Sequence, residues 1–103
     1  MEATVFQLQP KDPPSIQRTI ELPFFFKVNN GRENANVIFE DEKDLKIITV
    51  EFDENSISGA MTGPLPFKEL PANIDPITED QFTAEYQKVT DVIAGALVNL
   101  FKS

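Results

Sequence analysis

The chain has no histidine, no cysteine and no tryptophan among its 103 residues. Histidine and cysteine are the side chains that most often serve as general base, nucleophile or transition-metal ligand. The absence of cysteine also excludes a disulfide framework and a thiolate zinc site, so packing and hydrogen bonds must hold the fold together. We therefore expect a protein that is not an enzyme and that uses no metal or organic cofactor.

Basic residues are few as well, with 9 Lys and Arg against 17 Asp and Glu and a formal net charge of -8. Nucleic-acid backbones and anionic membrane surfaces are bound through clustered Lys and Arg, so we expect neither as a direct partner. The apolar runs are far shorter than the roughly 20 residues of a membrane helix. The first ten residues lack the basic start and apolar run of a secretory signal, which makes a cytoplasmic location the expectation.

The length and the composition fit one folded domain, because 41% of the residues are hydrophobic and nine are phenylalanine. A chain of this size forms a single core. We expect a single α+β domain over residues 1–103, built from a small antiparallel β-meander of three to five strands that one long C-terminal helix covers on one face.

The clearest turn signal is Asn30-Gly31, a pair that suits a two-residue type I′ hairpin turn. It predicts a hairpin between strands at about 19–28 and 34–40. The register that follows pairs Phe26 with Ala35 and places the apolar side chains on one face of the sheet. We expect a bulge or break near the proline at position 23, since proline has no N–H to donate.

Alternating apolar residues predict further strands at about 3–9 and 45–53, with a short one at 56–60. The proline-rich residues 10–15 are expected to be a connector rather than an SH3-type ligand. Residues 61–77 contain repeated proline and glycine and are predicted to form a loop. Its apolar residues either cover the core or contact a partner.

The strongest element is a helix predicted over residues 78–101, where Thr78 and Gln81 form a capping box. Its apolar seam comprises Phe82, Tyr86, Val89, Ile93, Ala96 and Leu100, with Val92, Leu97 and Phe101 on one flank and Glu85 and Lys88 turned away. We expect this seam to pack on the apolar face of the sheet. The alternative is that part of it pairs with a second copy of the chain.

These patterns favour a non-catalytic protein-interaction or assembly module that self-associates, as an accessory, chaperone-like or viral assembly protein would. The expected partner is a protein, first of all a second copy in a homodimer or larger homo-oligomer. The expected interface residues are an outer apolar corner and the exposed flank of the helix: Phe25, Ile38, Ile47, Val92, Leu97 and Phe101.

The alternative function is an acidic inhibitor that mimics nucleic acid and blocks a basic groove on another protein. It depends on a continuous strip of carboxylates formed by Glu40, Asp41, Glu42, Asp44, Glu51, Asp53 and Glu54. Paired carboxylates also serve metal-dependent nucleases and glycosidases. Both groups of acidic residues lie at predicted strand ends with no pocket around them, so solvated turns are the simpler interpretation.

Overall fold

The computed structural model describes residues 1–10 and 15–102, with side chains described as far as residue 95. These residues form eight strands and one helix: β1 (Glu2–Leu8), β2 (Ser15–Glu21), β3 (Phe24–Val28), β4 (Glu33–Asp41), β5 (Asp44–Asp53), β6 (Ser58–Pro66), β7 (Glu69–Leu70), β8 (Ile74–Pro76) and α1 (Glu79–Lys102).

The strands form two sheets. The smaller sheet has the order β2-β1-β7, with β7 parallel to β1. The larger sheet has the order β6-β5-β4-β3-β8, in which every pair is antiparallel and β3 to β6 follow one another as a meander. The predicted α+β class, an antiparallel meander with a C-terminal helix on one face, is confirmed.

The central strand β4 is covered on both sides, so the molecule has two apolar cores. Ile38 lies in the core between the two sheets. Ala35 lies in the core beneath α1, together with Val50 and Val89. Residues 34–38 are all buried, and because neighbouring side chains of a strand point to opposite faces, this one run contributes Ala35 to one core and Ile38 to the other.

The predicted strand 19–28 is two strands that belong to different sheets. Leu22 donates its backbone N–H to the carbonyl oxygen of Met1, 2.7 Å away, and still follows β1. Pro23 cannot donate, so the pairing stops there and the chain crosses to the larger sheet at Phe24. The break expected near Pro23 is therefore complete rather than a local bulge.

The predicted register between β3 and β4 is wrong by one residue. Phe26 pairs with Asn36 rather than Ala35. The cause is Asn34, whose side chain accepts a hydrogen bond from the N–H of Val28 at 2.9 Å and donates one to the carbonyl oxygen of Val28 at 2.8 Å. The side chain thus takes the place of a backbone rung, and a longer connection replaces the two-residue turn.

We expect the substitution Asn34→Ala to lower the free energy of unfolding by about 2 kcal/mol, because it leaves both backbone groups of Val28 without these partners. The matched control is Asn29→Ala, which removes an exposed hydrogen bond to Asp75 and should cost less than about 0.5 kcal/mol. Urea unfolding of both variants measures the difference. Equal losses would contradict the role given to Asn34.

The predicted loop 61–77 is wrong, because β6 continues to Pro66 and the two short strands β7 and β8 also lie within this segment. Strand β6 lies at the edge of the sheet, where proline is tolerated. The pairing with β5 shifts between Ile47 and Thr49, and Gly63 occupies this irregularity with a φ of +115°. A Cβ atom there would lie 2.5 Å from the carbonyl oxygen of Ile47, so the position requires glycine.

The helix begins as predicted. The N–H of Thr78 donates to Oε1 of Gln81 at 2.8 Å, and the N–H of Gln81 donates to Oγ1 of Thr78 at 3.1 Å. The side of α1 that faces the sheet differs from the predicted seam. Val89 is fully buried, whereas Tyr86 and Ile93 are 40% and 36% exposed.

Within the described ranges, no helix combines the length and the hydropathy needed to cross a membrane.

Candidate functional site

The predicted outer apolar corner does not exist as a surface. Ile38 is fully buried between the sheets, and Ile47 packs against the same core. Phe25 points to the other face of the sheet, where its ring lies 5.5 Å from that of Phe82 on the helix. The shifted register separates Phe25 from the two isoleucines, and the smaller sheet covers the face that was expected to be free.

The expected helix flank is only partly described. Val92 is half-buried. The side chains of Leu97 and Phe101 lie outside the described residues. Self-association therefore stays a prediction, without the apolar corner that suggested it.

The predicted acidic strip is divided between two ends of the molecule. Asp41 and Asp44 pair at the β4–β5 turn, together with Glu40 and Glu42. Glu51, Asp53 and Glu54 lie at the far end of β5, about 30 Å away at the usual rise per residue of a strand. The carboxylates do not form the continuous strip that imitation of a nucleic-acid backbone would need.

The second of these acidic groups borders a groove of about 1320 Å³ between the first half of α1 and the ends of β4, β5 and β6. Its lining is mixed, with apolar side chains such as Phe52 and Ile77 among charged ones. The charged lining residues are five carboxylates and two basic groups: Glu33, Glu51, Asp53, Glu54 and Glu85, with Lys27 and Arg32. Sequence reasoning placed no pocket at this strand end.

The groove exists because the helix approaches the sheet closely at one point. A Cβ atom built on Gly59 of β6 would lie 3.0 Å from Cγ1 of Val89, so the glycine leaves just enough room for the valine. Val89 also packs on Ala35 and Val50. From this contact the helix extends along the strand ends and forms one wall of the groove.

A second contact between helix and sheet is ionic. Nζ of Lys88 lies 2.8 Å from Oε1 of Glu33, at the start of β4. The same ammonium group lies 4.5 Å from the centre of the Phe52 ring, a cation–π distance. Glu33 and Phe52 are direct cross-strand partners, so one lysine contacts both members of a pair.

Two carboxyl groups of the groove, those of Glu33 and Glu85, have pKa values that are shifted in opposite directions. Burial, followed by the hydrogen bond to Glu33, raises the pKa of Glu85 to about 7. The hydrogen bonds from Glu85 and Lys88 lower the pKa of Glu33. Oε2 of each carboxyl is buried and has no hydrogen-bond partner among the described residues. The groove therefore contains two interacting carboxyl groups, of which Glu85 favours the protonated form and Glu33 the ionised form.

Glu85 was predicted to lie on the solvent side of the helix, and this prediction is wrong. It lies three residues after Phe82 and four before Val89, which is the spacing of residues on one helix face. That spacing could have identified Glu85 as a carboxylate that faces the sheet. A charged residue usually indicates an exposed position, but the attraction of Lys88 offsets part of the charge of Glu85 within the fold.

Over the part of the chain with described side chains, no three His, Cys, Asp or Glu residues are grouped so that they could hold a metal ion. Comparisons with protein-family models, with curated proteins and with solved structures each gave no match.

Proposed function

We propose that the protein is a non-catalytic protein-binding module, and that the groove between α1 and the ends of β4, β5 and β6 receives a basic segment of its partner. The observation that supports this most is the lining of the groove, in which the carboxylates of Glu51, Asp53 and Glu54 lie beside apolar side chains and outnumber the two basic groups of the lining. Lys and Arg combine a charged head with an apolar stem, so a basic segment matches both kinds of surface.

The shape of the groove also favours a peptide over a small ligand. Its volume of about 1320 Å³ exceeds the roughly 300–1,000 Å³ of small-molecule pockets. The acidic groups at this end cover one strand end rather than the length of the sheet. This short acidic surface matches a short basic segment. To occupy a partner's groove that normally holds a long nucleic acid, the protein would need acidic groups along a longer surface.

The carboxyl pair at the groove supports binding rather than catalysis. A general acid must present its proton to a substrate. The unpartnered oxygens of Glu33 and Glu85 are both buried, and Oε1 of Glu33 is paired with Lys88. A molecule lying in the groove would contact the carboxylates at its rim without reaching these oxygens.

The test is the affinity for a fluorescein-labelled peptide of alternating lysine and serine, measured by fluorescence anisotropy. The groove variant carries Glu51→Gln, Asp53→Asn and Glu54→Gln. The control variant carries Glu40→Gln, Asp41→Asn and Glu42→Gln at the β4–β5 turn, so that both lose three negative charges. We expect the groove variant to bind about tenfold more weakly, and the control to stay within about twofold of the unaltered protein.

Equal loss of affinity in the two variants would mean that the peptide responds to net charge alone, and would contradict the proposal. Absence of saturable binding at low ionic strength would contradict it as well, because exposed charges interact most strongly there.

The broader role also remains our proposal. The module would act in the cytoplasm as an accessory or assembly protein that carries its groove to a partner. Self-association is compatible with this role.

A further inference from the structure

We propose that Glu33 and Glu85 form a pH-sensitive clasp that fastens α1 to the larger sheet through one shared proton. This inference goes beyond the proposed function and does not depend on it. The clasp joins the start of β4 to the second turn of the helix.

The geometry of the pair requires the proton. Oε2 of Glu33 and Oε2 of Glu85 are both buried, and neither accepts a hydrogen bond from a described residue. The two carboxyl groups lie within hydrogen-bonding range of each other, and a proton between them supplies the missing hydrogen, because a carboxylate has none to donate. If both groups were ionised, two negative charges would be held together in a partly buried site, which is costly.

The surrounding charges do not offset the free-energy cost of ionising both carboxyl groups. The charged groups around the pair come from α1, β3 and the segment after β5: Lys88, Lys27 and Glu54. The other charged groups of the groove are Arg32, Glu51 and Asp53, and Asp75 of β8 is the cross-strand partner of Lys27. Lys88 contacts Glu33 directly, at 2.8 Å. One ammonium group in direct contact compensates one carboxylate, and the proton compensates the other.

The raised pKa of Glu85 determines how the contribution of the clasp to stability depends on pH. Burial and the hydrogen bond to Glu33 raise the pKa of Glu85 from 4.5 to about 7 in the folded protein. The clasp therefore contributes fully below about pH 4.5, and its contribution is lost as the pH rises toward and through 7. Glu33 has a lowered pKa and stays ionised over this window, so Glu85 is the group that titrates.

The test is the hydrogen exchange of backbone amides in the first half of α1, measured from about pH 5 to about pH 8 and corrected for intrinsic exchange rates. Across this range we expect protection in the unaltered protein to fall about tenfold, less than the full pKa shift would give because Glu85 is only partly buried. In Glu85→Gln the amide donates to Glu33 without titrating, so protection should stay constant within about twofold.

Glu51→Gln is the matched control, because it removes a carboxylate from the same groove that is not among the groups acting on Glu33 or Glu85. It should keep the pH dependence of the unaltered protein. The same pH dependence in Glu85→Gln as in the unaltered protein would contradict the clasp.

A second measurement needs no variant. A carbon-13 NMR titration of the Glu85 carboxyl should give a midpoint more than about one pH unit above the ordinary glutamate value near 4.3. A midpoint at the ordinary value would overturn the proposal even if Glu85→Gln did not fold. Failure of the clasp would leave peptide binding in the groove unaffected, and failure of peptide binding would leave the titration unaffected.

Discussion

The substitution Ile38→Ala is expected to lower the free energy of unfolding by about 3 kcal/mol, as truncation of a fully buried aliphatic side chain usually does. Ile38 lies between the two sheets, so its removal leaves a cavity that neither sheet can close completely. Urea unfolding followed by circular dichroism measures the loss. In the register predicted from sequence, Ile38 was part of an open corner, where the same substitution would cost little.

Leu65→Ala is the control for this prediction. Ile47 of β5 lies between Ile38 of β4 and Leu65 of β6 and pairs with both. Leu65, unlike Ile38, is 48% exposed. We expect it to lose less than about 1 kcal/mol. If Ile38→Ala were as mild as Leu65→Ala, the smaller sheet would not cover this face.

The contact between Gly59 and Val89 gives the second large effect. Val89→Ala should cost about 2 kcal/mol, because Val89 is fully buried under the helix. Gly59→Ala should cost about 1 kcal/mol, because the new Cβ lies 3.0 Å from Cγ1 of Val89 and 3.4 Å from the carbonyl oxygen of Glu51. The double variant should be about 1 kcal/mol more stable than the sum of the two losses predicts, since the new methyl group occupies the space of the missing one.

The same replacement at Gly95 serves as the control for Gly59→Ala. A Cβ atom on Gly95 meets no atom of the described side chains within 4 Å, and the residue lies within α1. Gly95→Ala should therefore raise stability by roughly 0.5–1 kcal/mol, because alanine favours the helix. Additive losses in the Gly59 and Val89 cycle, measured by denaturant unfolding, would mean that the two residues do not touch.

Local signals in the sequence predicted the local structure. The capping box of Thr78 and Gln81 marked the start of α1, and it forms with the expected hydrogen bonds. The missing N–H of Pro23 marked a break in the pairing, which is where the chain changes sheets. Such features depend on residues within a few positions of one another, so the sequence alone contains the information.

The register of the larger sheet was out of reach of the same reasoning. Asn30-Gly31 is a strong signal for a two-residue turn, and the apolar residues sorted well in the register that this turn imposes. The side chain of Asn34 overrides the signal by bonding both backbone groups of Val28. A side chain that replaces a backbone rung leaves no trace in hydrophobic alternation.

The candidate groove depends on contacts between residues far apart in the chain. Glu33 and Lys88 are separated by 55 positions, and the sequence does not show that they meet. The acidic residues near Glu51 were identified, but the helix wall beside them was not. A periodic pattern shows that a helix is amphipathic. It does not determine the rotation of the helix about its axis, and that rotation decides which residues face the sheet.

The groove, the clasp and the buried contact all require that α1 lies on β4, β5 and β6 with Val89 against Gly59. The most direct test is a nuclear Overhauser measurement between the methyl protons of Val89 and the α-protons of Gly59. The distance of 3.0 Å from Cγ1 of Val89 to the position of a Cβ atom on Gly59 predicts a strong cross-peak. A fully assigned spectrum without that cross-peak, in which Val89 instead contacts residues of the smaller sheet or solvent, would contradict the account.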